Sequence, residues 1–229
     1  MHVPDGFLDA PTSVGTAVVA AAGVGLALRG ARRELDERTA PLAGLAAAFV
    51  FAAQMLNFAV GAGTSGHLMG GALAAVLVGP WTAVLCVTCV LIVQALLMAD
   101  GGLTALGTNI TLMALVGVAV GWLAFVAARA VLPNKTASVV PAAFIGGLFS
   151  VPASALVFTG LYAIGGTVEL SISALMTAML GWHVVIGLGE GAITAMVVAA
   201  VAASRPDLVY GARPLLGVRK LQIRAGATA

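Results

Sequence analysis

Long apolar runs follow one another along almost the whole chain of 229 residues, and charged residues occur mainly in the connections between them. Hydrophobic residues make up 61% of the sequence and charged residues 9%, against about 45–50% and about 25% in an ordinary soluble protein. A water-soluble fold cannot hide so much apolar surface behind so few charges. The composition excludes a soluble enzyme and a disordered chain. It predicts an all-α integral membrane protein, because a helix satisfies its own backbone hydrogen bonds in lipid.

Seven apolar segments are predicted to build the membrane domain. They cover approximately residues 12–28, 41–60, 68–79, 81–99, 103–132, 139–163 and 181–203. The third is too short to cross a bilayer unaided at about 1.5 Å per residue, so we expect it to be re-entrant or tilted into protein. Segment 166–180 is less apolar and is expected to lie along the membrane interface. The chain is thereby divided into a leader (1–11), a transmembrane domain (12–203) and a basic tail (204–229).

The basic residues predict the orientation of this domain in the plasma membrane. If the N-terminus lies outside, all eleven Lys and Arg residues fall on the cytoplasmic side, in the connections there and in the C-terminal tail. The charged residues of the connections on the opposite side are all acidic, namely Asp5, Asp9, Asp100 and Glu169. We therefore expect seven spans, with the N-terminus outside and the C-terminus in the cytoplasm. Membrane lipid is the expected surrounding, and no basic face suitable for nucleic acid is recognisable.

Two histidines, His2 and His67, are predicted to lie on the outer side. A histidine at position 2 can close fused chelate rings around a metal ion with three nitrogens: the amine of Met1, its own amide and its imidazole. His67 could supply a fourth nitrogen, and four nitrogens near one plane suit Ni²⁺, Cu²⁺ or low-spin Co²⁺. The chelate requires that Met1 be retained and unblocked, which is expected because His2 is not small. The alternative is two unrelated surface histidines.

Three stretches resemble one known family. They are residues 1–8 (MHVPDGFL), 63–67 (GTSGH) and 94–109 (QALLMADGGLTALGTN). All are similar to the CbiM/NikM family, the substrate-binding components of cobalt and nickel energy-coupling factor transporters, and the resemblance extends to about residue 203. Other members often carry a proline after the loop histidine, where this chain has Leu68 and Met69, so the metal preference stays open.

The resemblance implies a subunit that captures Co²⁺ or Ni²⁺ outside the cell and releases it inward. It assigns the metal to Met1, His2 and His67, with no organic cofactor. Cobalt for cobalamin biosynthesis is favoured over nickel. The implied partners are a transmembrane coupling subunit, two ATPase subunits and, in many cobalt systems, a small accessory membrane subunit.

The polar residues inside the spans agree with a protein that does not hydrolyse ATP itself. The one Lys-Thr pair, at Lys135, lacks the glycines of a phosphate-binding loop. Glu190 is the sole acid near the centre of a predicted span, so no chain of proton-relay groups is recognisable. We expect Glu190 to hydrogen-bond between helices and to support the leader, as do Gln54, Asn57, Gln94 and Asn109. A direct role of Glu190 in metal release is the alternative.

Two other functions are considered. The string GTSG also matches rhomboid intramembrane proteases, in which Ser65 would head a short helix and His183 would act as its base. That family usually carries a Trp-Arg pair, whereas no tryptophan here precedes an arginine. The other alternative is a stand-alone secondary metal carrier, which would need no ATPase partner.

Overall fold

The chain is almost entirely helical in the computed structural model, which describes residues 2–37, 39–61 and 64–216. The helices are α1 (Ala10–Ala31), α2 (Ala40–Gln54), α3 (Gly71–Val78), α4 (Pro80–Leu97), α5 (Leu106–Asn109), α6 (Val118–Val131), α7 (Val139–Gly165) and α8 (Ile172–Ser204). A π-helix at Ile110–Gly117 joins α5 to α6 without a break. A short antiparallel hairpin, β1 (Phe58–Gly61) and β2 (Thr64–Gly66), lies between α2 and α3.

Among the residues that the structure describes, five helical stretches are long and apolar enough to cross a membrane. They are Ala10–Ala31, Pro80–Leu97, Leu106–Val131, Thr136–Gly165 and Ile172–Ser204, while Ala40–Gln54 is a shorter apolar helix. Large apolar side chains such as Val131 and Leu188 are exposed on their outer surfaces, as expected where lipid is the solvent. The all-α membrane architecture is confirmed at this level, whereas seven spans and the outward N-terminus stay predictions.

Two predicted segments differ from the observed elements, and a third agrees with its expectation. Segment 41–60 contains α2 only as far as Gln54, and its last residues enter β1. Segment 68–79 holds the eight-residue helix α3, all of whose residues are buried, which agrees with the expectation that this short segment lies within protein. Segment 166–180 does not form a separate interfacial element, because Ser171 caps α8 by accepting from the Ala174 N–H and the helix runs on from Ile172.

Glycines allow the helices to approach closely, as their spacing predicts. A Cβ added at Gly121 would lie 2.7 Å from the Cβ of Ala72, and one at Gly191 would lie 2.7 Å from the Phe144 carbonyl. A Cβ at Gly187 would likewise lie 2.5 Å from the Leu148 carbonyl. These glycines therefore serve close helix packing within the molecule, chiefly between α7 and α8.

The two ends of the bundle carry different features. The leader, the hairpin and the start of α8 lie at the end where α1 begins and α4 finishes. The opposite end collects the finish of α1, α6 and α8 and a 3₁₀-helix at Tyr210–Leu215. Met1, Arg38, residues 62–63 and residues 217–229, which include Arg219, Lys220 and Arg224 of the predicted basic tail, lie outside the described residues.

Candidate metal-binding site

The leader is bound to the bundle by backbone hydrogen bonds around Val3. The Val3 N–H donates to Oδ1 of Asn109 at 2.8 Å, and the Asn109 amide donates to the Val3 carbonyl at 3.1 Å. The Gly102 N–H donates to the same carbonyl at 2.9 Å. The Asn109 side chain thus takes the place of a neighbouring strand, and Val3 is buried beneath it.

The acidic residues of the leader fix its path further along. Asp5 accepts from the backbone N–H of Thr104 at 2.7 Å and from its hydroxyl at 2.5 Å, and these hydrogen bonds lower the pKa of Asp5. The leader lies so close to Gly102 that a Cβ there would overlap Asp5. Asp9 caps α1 through the Thr12 N–H at 2.9 Å, and its own N–H donates to the Gly165 carbonyl at 2.7 Å.

An aromatic contact completes this attachment. The ring of Phe7 stacks on Phe158 with centroids 5.8 Å apart and lies 5.4 Å from the ring of Tyr162. The Phe7 carbonyl accepts from the Thr167 N–H at 3.2 Å. The leader is therefore an ordered strap that joins the loop after α4 to the end of α7, and it carries His2 into the interior.

His2 lies between two acceptors from the stretch that follows α4. Its Nε2 is 3.1 Å from Oε1 of Gln94, which is fully buried. Its Nδ1 is 3.2 Å from Oδ1 of Asp100, a distance suited to an ion pair. That contact lacks hydrogen-bond alignment, so Nδ1 is buried without a hydrogen-bond partner among the described residues.

His67 faces His2 from the turn between β2 and α3. The two imidazole rings stack with centroids 4.5 Å apart and 26° between their planes. Nδ1 of His67 lies 2.7 Å from the Leu68 carbonyl, which can only accept, so Nδ1 carries the proton and Nε2 keeps its lone pair. The side chain is fully buried, and this burial holds the pKa of His67 well below its usual value. His67 is thus a neutral imidazole whose Nε2 has no partner among the described residues.

Two polar side chains from other helices hold the turn that carries His67. The Gln54 amide donates to the Met69 carbonyl at 2.8 Å. Glu190 accepts from the N–H of Met69 and from the N–H of Gly70, each at 2.7 Å. Gly70 has φ +73°, a left-handed conformation that favours glycine, and α3 begins directly after it. Glu190 therefore joins α8 to the start of α3, as expected of an interhelical hydrogen-bonding residue.

His183 and Ser65 do not form the pair that a serine protease needs. Nδ1 of His183 lies 2.7 Å from the Met179 carbonyl, and its buried Nε2 has no partner within the described ranges. Ser65 lies on β2 opposite Ala59, so it does not head a helix. The predicted nucleophile and base are thus not hydrogen-bonded, and the expectation of a helix beginning at Ser65 is wrong because the segment pairs as a hairpin.

The sequence singled out both histidines but missed several residues around them. Asp100 and Thr104 belong to the stretch recognised by resemblance, yet their contacts with the leader had no local signal. Gln94 and Asn109 stood out only as polar residues in apolar runs. Met1, the remaining predicted ligand residue, lies outside the described residues.

The arrangement provides imidazole nitrogens rather than a carboxylate or thiolate cage. Within the part of the chain that the structure describes, no three His, Cys, Asp or Glu residues form a metal-ligating group. Nδ1 of His2 can close a six-membered ring with the amide nitrogen of the same residue, and Nε2 of His67 is free to bind from the stacked ring. Such nitrogen donors suit Ni²⁺, Cu²⁺ and Co²⁺ better than Mg²⁺ or Ca²⁺.

Comparison with known proteins gives one consistent result. Residues 2–208 match the family described as the cobalt uptake substrate-specific transmembrane region, CbiM. The cobalt transport protein CbiM of Sorangium cellulosum is 36% identical over 91% of this chain and 94% of its own. A chain from Haloquadratum walsbyi that is described as a metal transport protein is 43% identical, over 92% of this chain and 94% of its own length. The fused nickel transport protein NikMN of Rhodobacter capsulatus is 40% identical, over 51% of this chain and 34% of its own length.

The fold agrees with solved structures as well. The crystal structure of a transition metal transporter superposes with a TM-score of 0.79 and 28% identity, over 89% of this chain and 93% of that one. The crystal structure of a truncated transition metal transporter superposes with a TM-score of 0.74 and 27% identity, over 89% of this chain and 99% of that one.

Proposed function

Because this chain belongs to the CbiM family of cobalt-uptake substrate-specific transmembrane proteins, we propose that it is the metal-capturing subunit of an energy-coupling factor transporter. It is a multi-pass plasma-membrane protein of cobalt and nickel transport. The substrate in this proposal is one divalent transition metal ion, Co²⁺ first and Ni²⁺ second, taken up for cobalamin biosynthesis in the case of cobalt.

The observation that carries the proposal is the stacked pair of buried histidines. Nε2 of His67 is buried without a hydrogen-bond partner among the described residues, and Nδ1 of His2 lies 3.2 Å from the Asp100 carboxylate without hydrogen-bond alignment. A buried polar atom without a partner is costly, and a bound metal ion would satisfy both. The proposed ligands are the amine of Met1, the amide and Nδ1 of His2, and Nε2 of His67.

This ligand set depends on a free amine at Met1. The amine and the His2 amide close a five-membered ring, and the amide and Nδ1 close a six-membered ring. Together with His67 they offer four nitrogens, and the ligand type alone favours Ni²⁺ over Co²⁺. Selectivity for cobalt would therefore come from the geometry that the leader and the His67 turn impose.

Calorimetry with the purified protein tests the proposal. Co²⁺ and Ni²⁺ are titrated into the protein with its native N-terminus and into a version with one extra residue before Met1. We expect about one ion per chain for the native form and no tight binding for the extended form. Equal binding by both forms would remove the amine from the site.

The energy source is proposed to lie in separate subunits. These are a transmembrane coupling subunit, ATPase subunits and a small accessory membrane subunit; the relatives described as fused NikMN proteins carry a second component on one chain. Metal uptake by cells that express this chain alone is compared with uptake by cells that express it with such partners. A stand-alone carrier would reach full uptake alone, whereas the proposed subunit requires the ATPases.

A further inference from the structure

A cleft lined by three arginines lies at the end of the bundle opposite the histidine pair. Its volume is about 490 Å³, and its walls come from the last turns of α6 and from the 3₁₀-helix at Tyr210–Leu215. Arg33, Arg129 and Arg213 line it together with the rings of Trp122 and Tyr210. This basic cleft is distant from the proposed metal ligands, and no step of metal capture uses it.

Two of the three guanidinium groups, those of Arg129 and Arg213, contact neutral groups in the structure. Arg129 donates to the Pro133 carbonyl at 3.2 Å, and Arg213 donates to the Glu34 carbonyl at 3.4 Å. Arg213 also lies over the Tyr210 ring, 4.9 Å from its centroid. Among the described residues, the arginine ion pair that the structure contains joins Arg205 to Asp207 and involves none of the three. Within the part of the chain that the structure describes, no carboxylate pairs directly with these arginines, so the cleft concentrates positive charge.

The carboxylate of Glu34 forms its hydrogen bonds at the start of α4 and does not face these arginines. The carboxylate of Glu34 accepts from the Thr82 N–H at 2.7 Å, from the Thr82 hydroxyl at 2.9 Å and from the Trp81 N–H at 3.2 Å. It caps α4 and is 4% exposed, so it does not line the basic cleft. An anion entering the cleft would meet guanidinium donors, which bind phosphate well.

An apolar groove lies next to the basic cleft along α6. It has a volume of about 420 Å³ and is lined by α1, α4 and α6, with Gly23, Val84 and Ala119 among its residues. Trp122 lines both the groove and the basic cleft. The groove runs from the level of Trp122 toward Leu115, which is farther from the end of the bundle. Trp122 thus places a charged cleft and an apolar groove side by side along α6.

We propose that this combined cleft and groove binds one anionic phospholipid, with its phosphate headgroup among Arg33, Arg129 and Arg213 and an acyl chain along the groove. The charge of the cleft matches an anionic headgroup, and the apolar groove matches a hydrocarbon chain. A free phosphate ion would use the arginines alone and would leave the groove empty. Basic pockets between membrane helices on the cytoplasmic side are suited to such lipids, and this end of the bundle is the one that we propose is cytoplasmic.

Native mass spectrometry of the full-length, delipidated protein tests the assignment. The probes are phosphatidylglycerol, phosphatidylcholine and inorganic phosphate. We expect one phosphatidylglycerol molecule to bind in clear preference to phosphatidylcholine. The R33Q/R129Q variant should bind it about 25-fold more weakly, because each basic residue near an anionic lipid contributes about fivefold in affinity. The control R29Q/R32Q removes the same charge from exposed arginines outside the cleft and should keep the affinity.

A second variant separates lipid from free phosphate. Ala119→Phe fills the groove and should weaken phosphatidylglycerol binding without changing the response to inorganic phosphate. Ala127→Phe places the same side chain elsewhere on α6, outside both cavities, and should bind lipid normally. If A119F binds lipid as well as wild type, or if inorganic phosphate displaces the lipid at equal concentration, the site is for a free anion. If R29Q/R32Q weakens binding as much as R33Q/R129Q, the attraction is general and the site is refuted. Retained Co²⁺ binding shows that each variant is folded.

Discussion

Replacement of Asn109 by alanine is expected to undock the leader and to weaken metal binding. The Asn109 side chain is 1% exposed, and it makes two hydrogen bonds with the Val3 backbone, at 2.8 and 3.1 Å. The N109A variant loses both bonds and leaves the buried Val3 N–H without an acceptor. The Val3 carbonyl keeps its bond from the Gly102 N–H at 2.9 Å, so a single backbone group is orphaned.

The expected magnitude follows from these two losses. A hydrogen bond contributes about 1 kcal/mol net, and a buried donor left unsatisfied costs about 1–3 kcal/mol. The docked leader of N109A should therefore be less stable by about 2–4 kcal/mol. A ligand that requires the docked state binds in proportion to its population, so the apparent Kd for metal rises by at most about 30- to 1,000-fold.

Calorimetry with Co²⁺ measures this loss, and hydrogen exchange measures the docking directly. The exchange of leader amides should accelerate in N109A, while the amides of α7 and α8 keep their protection. The control is Asn57→Ala, because Asn57 is exposed and makes no contact with the leader among the described residues. If N109A binds Co²⁺ as tightly as wild type and its leader stays protected, the Asn109 contacts do not hold His2 in place, and the docking argument fails.

The remaining predictions concern the histidine turn, proton competition and the excluded protease. The E190Q variant should lower Co²⁺ affinity by about tenfold, because an amide presents one acceptor oxygen to two N–H donors; unchanged calorimetry would contradict this role. Metal binding should weaken as the pH falls from about 8 to about 6, because the free amine, with a pKa of about 7.7–8.0, takes up a proton in that range. Burial lowers the pKa of His67, so His67 stays neutral there and adds no competition until the pH is lower; a Kd constant from about pH 5 to 8 would refute the ligand set. The S65A variant should import metal normally, and uptake assays in cells check this. The H183Q variant should still bind one ion per chain by calorimetry, and loss of that ion would make His183 a ligand.

The sequence suggests a metal-ligand set, which stays a prediction, whereas the local fold around these residues could not be predicted from it. A histidine at position 2 forms its chelate rings from covalently adjacent atoms, so its chemistry can be predicted before any tertiary contact is known. The stacking of His2 on His67 and the support from Asn109 involve residues 65 and 106 positions apart, and single-sequence patterns carry no such pairing. Asn109 was noticeable only as a polar group in an apolar run.

The errors in the predicted segments have a common physical cause. Hydropathy measures how apolar a segment is, and it does not distinguish a helix from a buried strand or a half-helix. Residues 58–61 (FAVG) are as apolar as the helix before them, yet they pair with β2. Gly79, with φ +98°, and Pro80 separate α3 from α4, so the eight buried residues of α3 cannot extend into a span. The start of α8 at Ile172 was missed because Ser171 and Thr177 lowered the apolar average, although Ser171 caps the helix and Thr177 bonds back to the Ser173 carbonyl.

Two buried carboxylates satisfy backbone groups at helix starts inside this apolar bundle. A helix that begins within a membrane protein leaves N–H groups without partners, and these are costly away from water. Glu190 satisfies two of them at the start of α3, and Glu34 satisfies two at the start of α4. Each carboxylate also opposes the positive end of a helix dipole, which favours the charge in that position.

As a result of this capping, the two proposed metal ligands His67 and His2 are held with unequal firmness. His67 belongs to a turn fixed by Glu190 and Gln54 from two different helices, so its Nε2 is positioned before any ion arrives. His2 belongs to a leader whose outer contacts, such as Asp5 with Thr104, are exposed and easily exchanged with water. The cost of ordering the site therefore falls mainly on the leader, and changes in the leader are the ones that can alter metal affinity without disturbing the bundle.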